Sequence, residues 1–147
     1  PFGPGSPLRL GGIEIEHAPR LHGHSDGDVA LHAVADALLG AAGLGDLGHL
    51  FPADDRTPQG ADSGDLLVEV VRRLAAVGSR PRSVDLTIVA GRPQLGSHLP
   101  AMRDRLAELL KIDLAALNVK ASSGNLSGPE GAGRGIGAQA VATVGPA

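Results

Sequence analysis

Two rhythms of apolar and polar positions run along the chain, and each predicts a different kind of element. Leu8, Leu10, Ile13 and Ile15 alternate with polar neighbours on both sides of Gly11-Gly12, which predicts a hairpin with a solvent-facing edge. From Asp28 to Leu39 the rhythm changes: Val29, Leu31, Val34, Ala35, Leu38 and Leu39 recur at helical spacing. Ser25 is the candidate N-cap of that helix, with Asp28 in the capping-box position and Gly40 at its end. A second helix is predicted from Ser63 to Val77, capped by Asp62 or Ser63 and closed by Gly78. Strand-like alternation follows over Val84–Val89, then a third helix over Pro100–Leu110 with proline in its first turn. Leu117–Ser122 reads as a strand, and the small apolar residues of Ile136–Val144 as a closing strand suited to a tight interior or a subunit axis. Residues 41–62 and 124–135 are predicted loops; a loop as long as the first is more often functional than idle.

Strands separated by single helices predict a two-layer α+β domain, a mixed β-sheet with helices packed on one face, spanning residues 1–147. Composition changes the picture of the core. With 42% hydrophobic residues but only Phe2 and Phe51 as aromatics, the interior must be filled by Leu, Val, Ile and Ala. Nucleic acid is a poor partner, because base-stacking side chains are absent, net charge is -3, and Lys and Arg form no phosphate-neutralising cluster. No apolar stretch could span a bilayer and nothing resembles a signal peptide, so a soluble protein without a membrane partner is expected. With no cysteine, any metal must be held by His, Asp or Glu. Pro1 rather than Met at the first position implies residues upstream of it.

Candidate chemistry concentrates in His22, His24, Asp26, Asp28, His32 and Asp36. On a helix, Asp28, His32 and Asp36 would form one stripe, in which a carboxylate could fix the tautomer of His32 and leave its other nitrogen for a metal. His24 and Ser25 would lie at the helix start, where free N–H groups favour a phosphate. Spacing alone leaves open a solvated helix start with incidental histidines, since no H-E-x-x-H motif is present. It equally leaves open a metal-dependent phosphohydrolase in which water attacks. Gly133-Arg134-Gly135-Ile136-Gly137-Ala138 fits a dinucleotide fingerprint, but that motif needs a following helix and a later acidic residue, and only nine positions remain.

The run His24-Ser25-Asp26-Gly27-Asp28-Val29-Ala30-Leu31-His32, with Ala35–Gly40, Gly43–Gly48, Leu50-Phe51-Pro52, Gly60–Ser63, Pro100–Arg103 and Asn118–Ala121, resembles the 2-C-methyl-D-erythritol 2,4-cyclodiphosphate synthase family over nearly the whole chain. The resemblance implies a bacterial, cytoplasmic enzyme of isoprenoid precursor synthesis. It implies a homotrimer whose active sites lie between subunits. There a cytidine diphosphate substrate cyclises by attack of its internal phosphate and expels CMP, a phosphorus-oxygen lyase reaction. By position, His32 matches a zinc ligand; His24 and Ser25 match residues near the phosphates, and Asp46 and Gly48 match contacts to the methylerythritol hydroxyls. Ala90–Leu95, including Gln94, and Ala121-Ser122-Ser123 match the two sides of the cytidine diphosphate pocket, contributed by different subunits. Ser123 stands where a phosphate-binding threonine is usual and keeps the hydroxyl. Such a reaction rests on positioning and charge neutralisation, with no strong general base, because a phosphate oxygen is already ionised.

The resemblance also marks departures. An Asp-x-His pair that supplies the other two zinc ligands would fall immediately before Pro1, and a catalytic zinc site needs three protein ligands. Asn125 replaces the glutamate that holds a second divalent ion, Mg2+ or Mn2+, on the diphosphate; Glu130 is near enough in sequence to compensate. Gln94 replaces a lysine at the nucleotide pocket. Pro129–Gly135 differs from the usual run lining the trimer-axis cavity, so the charge and shape of that cavity should differ. A trimer of this fold that binds a nucleotide or isoprenoid diphosphate without turnover is the principal alternative.

Overall fold

The computed structural model describes all 147 residues. The alternation around Gly11-Gly12 gives β1 (Leu8–Leu10) and β2 (Ile13–Ile15), an antiparallel hairpin pairing Leu10 with Ile13. Both turn glycines have positive φ, +62° and +81°, as a tight two-residue hairpin turn requires. Leu8, Leu10 and Ile15 are buried, so the hairpin covers one end of the core.

Helix α1 (Val29–Ala42) follows, then a single turn, α2 (Leu47–Leu50), and α3 (Ser63–Ala76). Two boundaries of α1 differ from expectation. Its N-cap is Asp28, whose carboxylate accepts from the Leu31 N–H, rather than Ser25. Its end is Gly43, left-handed at φ 70°, rather than Gly40, because Ala41 and Ala42 extend the helix and Gly43 terminates it. Helix α3 begins at Asp62, whose carboxylate accepts from Gly64 and Asp65, as its sequence predicts.

Strand β3 (Ser79–Ala90) is the centre of a three-stranded sheet, parallel to β4 (Leu117–Ser122) and antiparallel to β5 (Ile136–Pro146). The sheet is therefore mixed, as expected. Strand β3 is longer than its alternation suggests. Its first part pairs only with β5, and the register shifts between Pro81 and Ser83, where a residue without an N–H is accommodated. Helix α4 (Leu99–Leu110) has Pro100 in its first turn, and the predicted loop 124–135 contains the short turn α5 (Gly128–Gly131). Strand β5, not a helix, follows Gly135, which removes the dinucleotide-fingerprint reading.

Helices α1, α3 and α4 pack on one face of the sheet. From that face Val84, Leu86, Ile88, Leu117 and Ile136 enter the core, meeting Leu31, Leu38, Leu67, Leu74, Met102 and Leu106. Ala138, Ala140 and Ala142 of β5 lie against this core, and small side chains there let α1 approach the strand closely. The opposite face, with Asp85, Thr87, Lys120, Gln139 and Val141, carries no helix, and Val141 is 72% exposed. No helix is long and apolar enough to cross a membrane.

Candidate active site

A cavity of about 460 Å³ opens where the N-terminus of α1 meets the loops before α1 and α3. His22, His24, Ser25, Gly27, His32, Asp36, Gly48, Phe51 and Thr57 line it, as does Pro1. Backbone pairing assembles this wall. Gly60 donates to the His24 carbonyl at 2.7 Å and Asp26 to the Ala61 carbonyl at 3.0 Å, which ties the long loop to the segment before α1. His22 donates to the Pro1 carbonyl at 2.9 Å, which brings the first residue to the edge of the same cavity.

Each histidine in this wall is held by a different partner. The His24 ring donates through Nε2 to the Thr57 carbonyl at 2.7 Å, leaving Nδ1 as its second nitrogen for a ligand. His32 Nε2 lies 2.9 Å from Ser63 Oγ and 3.2 Å from Ser25 Oγ. The stripe expected on α1 does not form a carboxylate–histidine contact. Asp28 turns to the hairpin and accepts from Gly11 at 2.9 Å and Gly12 at 2.8 Å, and Asp36 accepts from Leu47 at 2.8 Å. Burial pushes the Asp28 carboxyl up, against three backbone N–H bonds that favour its charged form. Part of the anion-binding donor set at the helix start is thus occupied by the protein's own carboxylate.

Gly48 lines the cavity, while Asp46 caps α2 beside it and accepts from the His49 backbone at 2.9 Å and from its ring at 2.8 Å. The His49 backbone N–H, then its ring N–H, hold the Asp46 carboxyl below its ordinary range. No group of three His, Asp or Glu side chains able to hold a metal ion comes together within residues 1–147. His32 alone of the expected ligands faces the cavity. One imidazole with an accessible nitrogen can supply one ligand to a divalent transition metal, and two further protein ligands would have to join it there.

The remaining expected residues gather elsewhere. Val89 pairs with Ser122, so Ala90–Leu95 and Ala121–Ser123 stand side by side at the carboxyl ends of parallel β3 and β4. A single chain therefore presents both stretches together, although a separate origin in two subunits was expected of them. Ala90 and Leu95 are buried, whereas Gln94, Ala121, Ser122 and Ser123 are exposed. Asn125 is exposed at φ 50° on the following turn, held by its N–H to Ser123 Oγ at 3.3 Å. None of these residues lines the cavity around His32; the nearest link is Ile136, which pairs with Ala90 and does line it.

The YgbB family model matches residues 1–145. The chain belongs to the YgbB family. It is 50% identical over 141 residues to a 2-C-methyl-D-erythritol 2,4-cyclodiphosphate synthase of Symbiobacterium thermophilum, covering 96% of this chain and 90% of that protein. Its fold is similar to that of the bifunctional IspDF from Campylobacter jejuni, with TM-score 0.93, 34% identity, and 99% of this chain matched to 40% of that one. It is also similar to a 2C-methyl-D-erythritol-2,4-cyclodiphosphate synthase in a CDP-bound form, with TM-score 0.83, 35% identity, and coverage of 98% and 93%.

Among features of this YgbB-family chain that its sequence did not disclose, Thr57 is foremost. It is 4% exposed, supplies the carbonyl that holds His24, and has a hydroxyl with no partner. Nothing in the pattern of a loop residue announces such a contact. The pairing of Asp26 with Ser63 likewise has no signal in the sequence pattern, though both positions fall in recognisable cap segments.

Proposed function

We propose that the chain converts 4-diphosphocytidyl-2-C-methyl-D-erythritol 2-phosphate into 2-C-methyl-D-erythritol 2,4-cyclodiphosphate. An oxygen of the 2-phosphate bonds to the outer phosphorus of the diphosphate, and the bond to the departing CMP breaks. The observation that carries this reading is family membership over residues 1–145 together with the His24–His32 wall on one cavity.

His32, with an Asp-x-His pair preceding Pro1, would hold Zn2+ or another divalent transition metal. Pro1 lines the same cavity as His32, which supports this reading. Asn125 would bind a second ion, Mg2+ or Mn2+, weakly, through a neutral amide. When bound, such ions supply neutralisation of the phosphate charges. His24 and Ser25 orient the phosphates: Ser25 Oγ already accepts from the Gly27 N–H at 3.2 Å, leaving its hydroxyl proton free to donate. Asp46 and Gly48 would receive the methylerythritol hydroxyls, and Ala90, Gln94, Leu95 and Ala121–Ser123 the cytidine diphosphate. Since Ala90, Gln94, Leu95 and Ala121–Ser123 lie outside the cavity of one chain, the reading is best completed by a homotrimer with sites between subunits. The bacterial relatives support the bacterial cytoplasm as its compartment.

Incubation of the full-length protein with the substrate and a divalent metal, followed by phosphorus NMR, tests the proposal. A cyclic diphosphate with stoichiometric CMP is expected; a linear phosphate would identify a hydrolase instead. His32→Ala is expected to lower turnover by more than about a hundredfold and to reduce bound metal. The neutral amide at Asn125, in place of a carboxylate, favours a second reading, a non-catalytic trimer that binds the nucleotide. CMP release excludes it.

A further inference from the structure

Between α1 and α3, three side chains form a directed hydrogen-bond chain that ends on His32. Ser63 is 1% exposed; its N–H donates to Asp26 Oδ2 at 2.9 Å and its hydroxyl to Asp26 Oδ1 at 2.5 Å. Asp26 Oδ1 also accepts from the Asp28 N–H at 3.0 Å, and Arg9 Nε stands 3.9 Å from Oδ2. With donors and a guanidinium facing both oxygens, the Asp26 carboxylate can only accept. The one proton of the Ser63 hydroxyl is therefore committed to Asp26. Toward His32 Nε2, 2.9 Å away, Ser63 Oγ must then be the acceptor. Ser25 Oγ, 3.2 Å from the same nitrogen, also has room to accept. His32 Nδ1 makes no hydrogen bond and is not among the buried unpaired atoms, so it is accessible, and His32 lines the cavity.

We infer that Asp26 and Ser63, neither of which lines the cavity, are positioning residues that hold the proton of His32 on Nε2 and present the Nδ1 lone pair to the cavity. A carboxylate acting through a hydroxyl thereby replaces the direct carboxylate–histidine contact that often fixes a ligating imidazole. The consequence rests on the reading above: whatever cation or phosphate enters the cavity meets an unprotonated Nδ1, with no proton to expel.

The test is a two-bond nitrogen–proton correlation spectrum of the full-length protein with nitrogen-15-labelled histidine, recorded in mildly alkaline solution where histidine rings are neutral. His32 is expected to show a protonated Nε2 and an unprotonated Nδ1. A proton on Nδ1, or an averaged mixture of tautomers, would overturn the inference. Asp26→Ala frees the Ser63 hydroxyl to turn and donate to Nε2, so the tautomer is expected to invert. Ser63→Ala removes the acceptor, and a mixture is expected, with Ser63→Thr restoring the Nε2–H form. An unchanged tautomer in folded Asp26→Ala and Ser63→Ala would show that neither residue sets it. Zn2+ affinity of the same variants, read by competition with a chelator, is expected to fall about 10–100-fold. The spectrum needs no turnover, so an inactive protein with the proton on Nε2 would sink the synthase reading and leave this inference standing.

Discussion

Glu69 projects from α3 between Arg72 and Arg73, with N–O distances of 2.7 Å and 3.0 Å. The hydrogen bond from Arg72, helped by Arg73, lowers its carboxyl from 4.5 to about 2. A depressed carboxyl contributes stability that is complete above its unfolded value and is lost as pH falls through its folded value. Water screens these pairs, so their joint contribution is about 0.5–1 kcal/mol at neutral pH. Glu69→Gln is expected to lower stability by that amount near pH 7, and the gap should close between pH 4.5 and about 2 in urea melts. Thr57 makes the opposite case. Its hydroxyl is buried without a partner, so Thr57→Val is expected to raise stability by about 1 kcal/mol, while the backbone carbonyl still holds His24. At this scale the sequence was partly legible. The identities of His24, Ser25 and His32 pointed at the cavity they line, but hydrogen-bond direction depends on neighbours brought in from α3 and the long loop. The helical stripe therefore does not form its expected contact: Asp28 and Asp36 satisfy backbone donors 17 and 11 positions away, instead of the ring between them.

Elements meet at Asp28. One carboxylate caps α1 through Leu31 at 3.1 Å and closes on the hairpin turn through Gly11 and Gly12, so helix, hairpin and the His24–Asp28 segment share one anchor. Asp28→Ala would leave three N–H donors without a partner, two of them in buried bonds. A loss of about 3 kcal/mol or more is expected, with a lower melting temperature and weakened turnover. Asp28→Asn keeps one acceptor oxygen and is expected to recover part of that loss. Local rules had found the hairpin, α3 and β4 from alternation, caps and glycines. They misplaced the cap of α1 because Ser25 and Asp28 are both good capping residues, and only the approach of the hairpin decides between them. They shortened β3 because Ser79–Ser83 is polar and contains proline; its pairing is owed to β5, more than fifty residues later.

For the molecule as a whole, the decisive fact is that the two halves of the expected site do not share a cavity. His24, Ser25 and His32 face one opening, while Gln94, Ser122 and Ser123 stand at the carboxyl ends of β3 and β4. On the proposed reading, a second chain brings its strand ends to the first chain's cavity to complete the site. The sheet face without helices is the surface we propose for such an assembly. There Val141 is exposed beside Asp85, with which it pairs across β3 and β5. Val141→Lys is a discriminating change, because a lysine opposite Asp85 is a favourable cross-strand pair in an isolated chain but places a charge in any interface built on that face. Sedimentation equilibrium is expected to give three times the chain mass for the unaltered protein and the mass of one chain for Val141→Lys. The variant should keep its circular dichroism and lose CMP release, and added metal should not restore that release. A variant that remains trimeric and active would show that the uncovered sheet face is not where the chains meet, and an active monomer would remove the need for a shared site altogether.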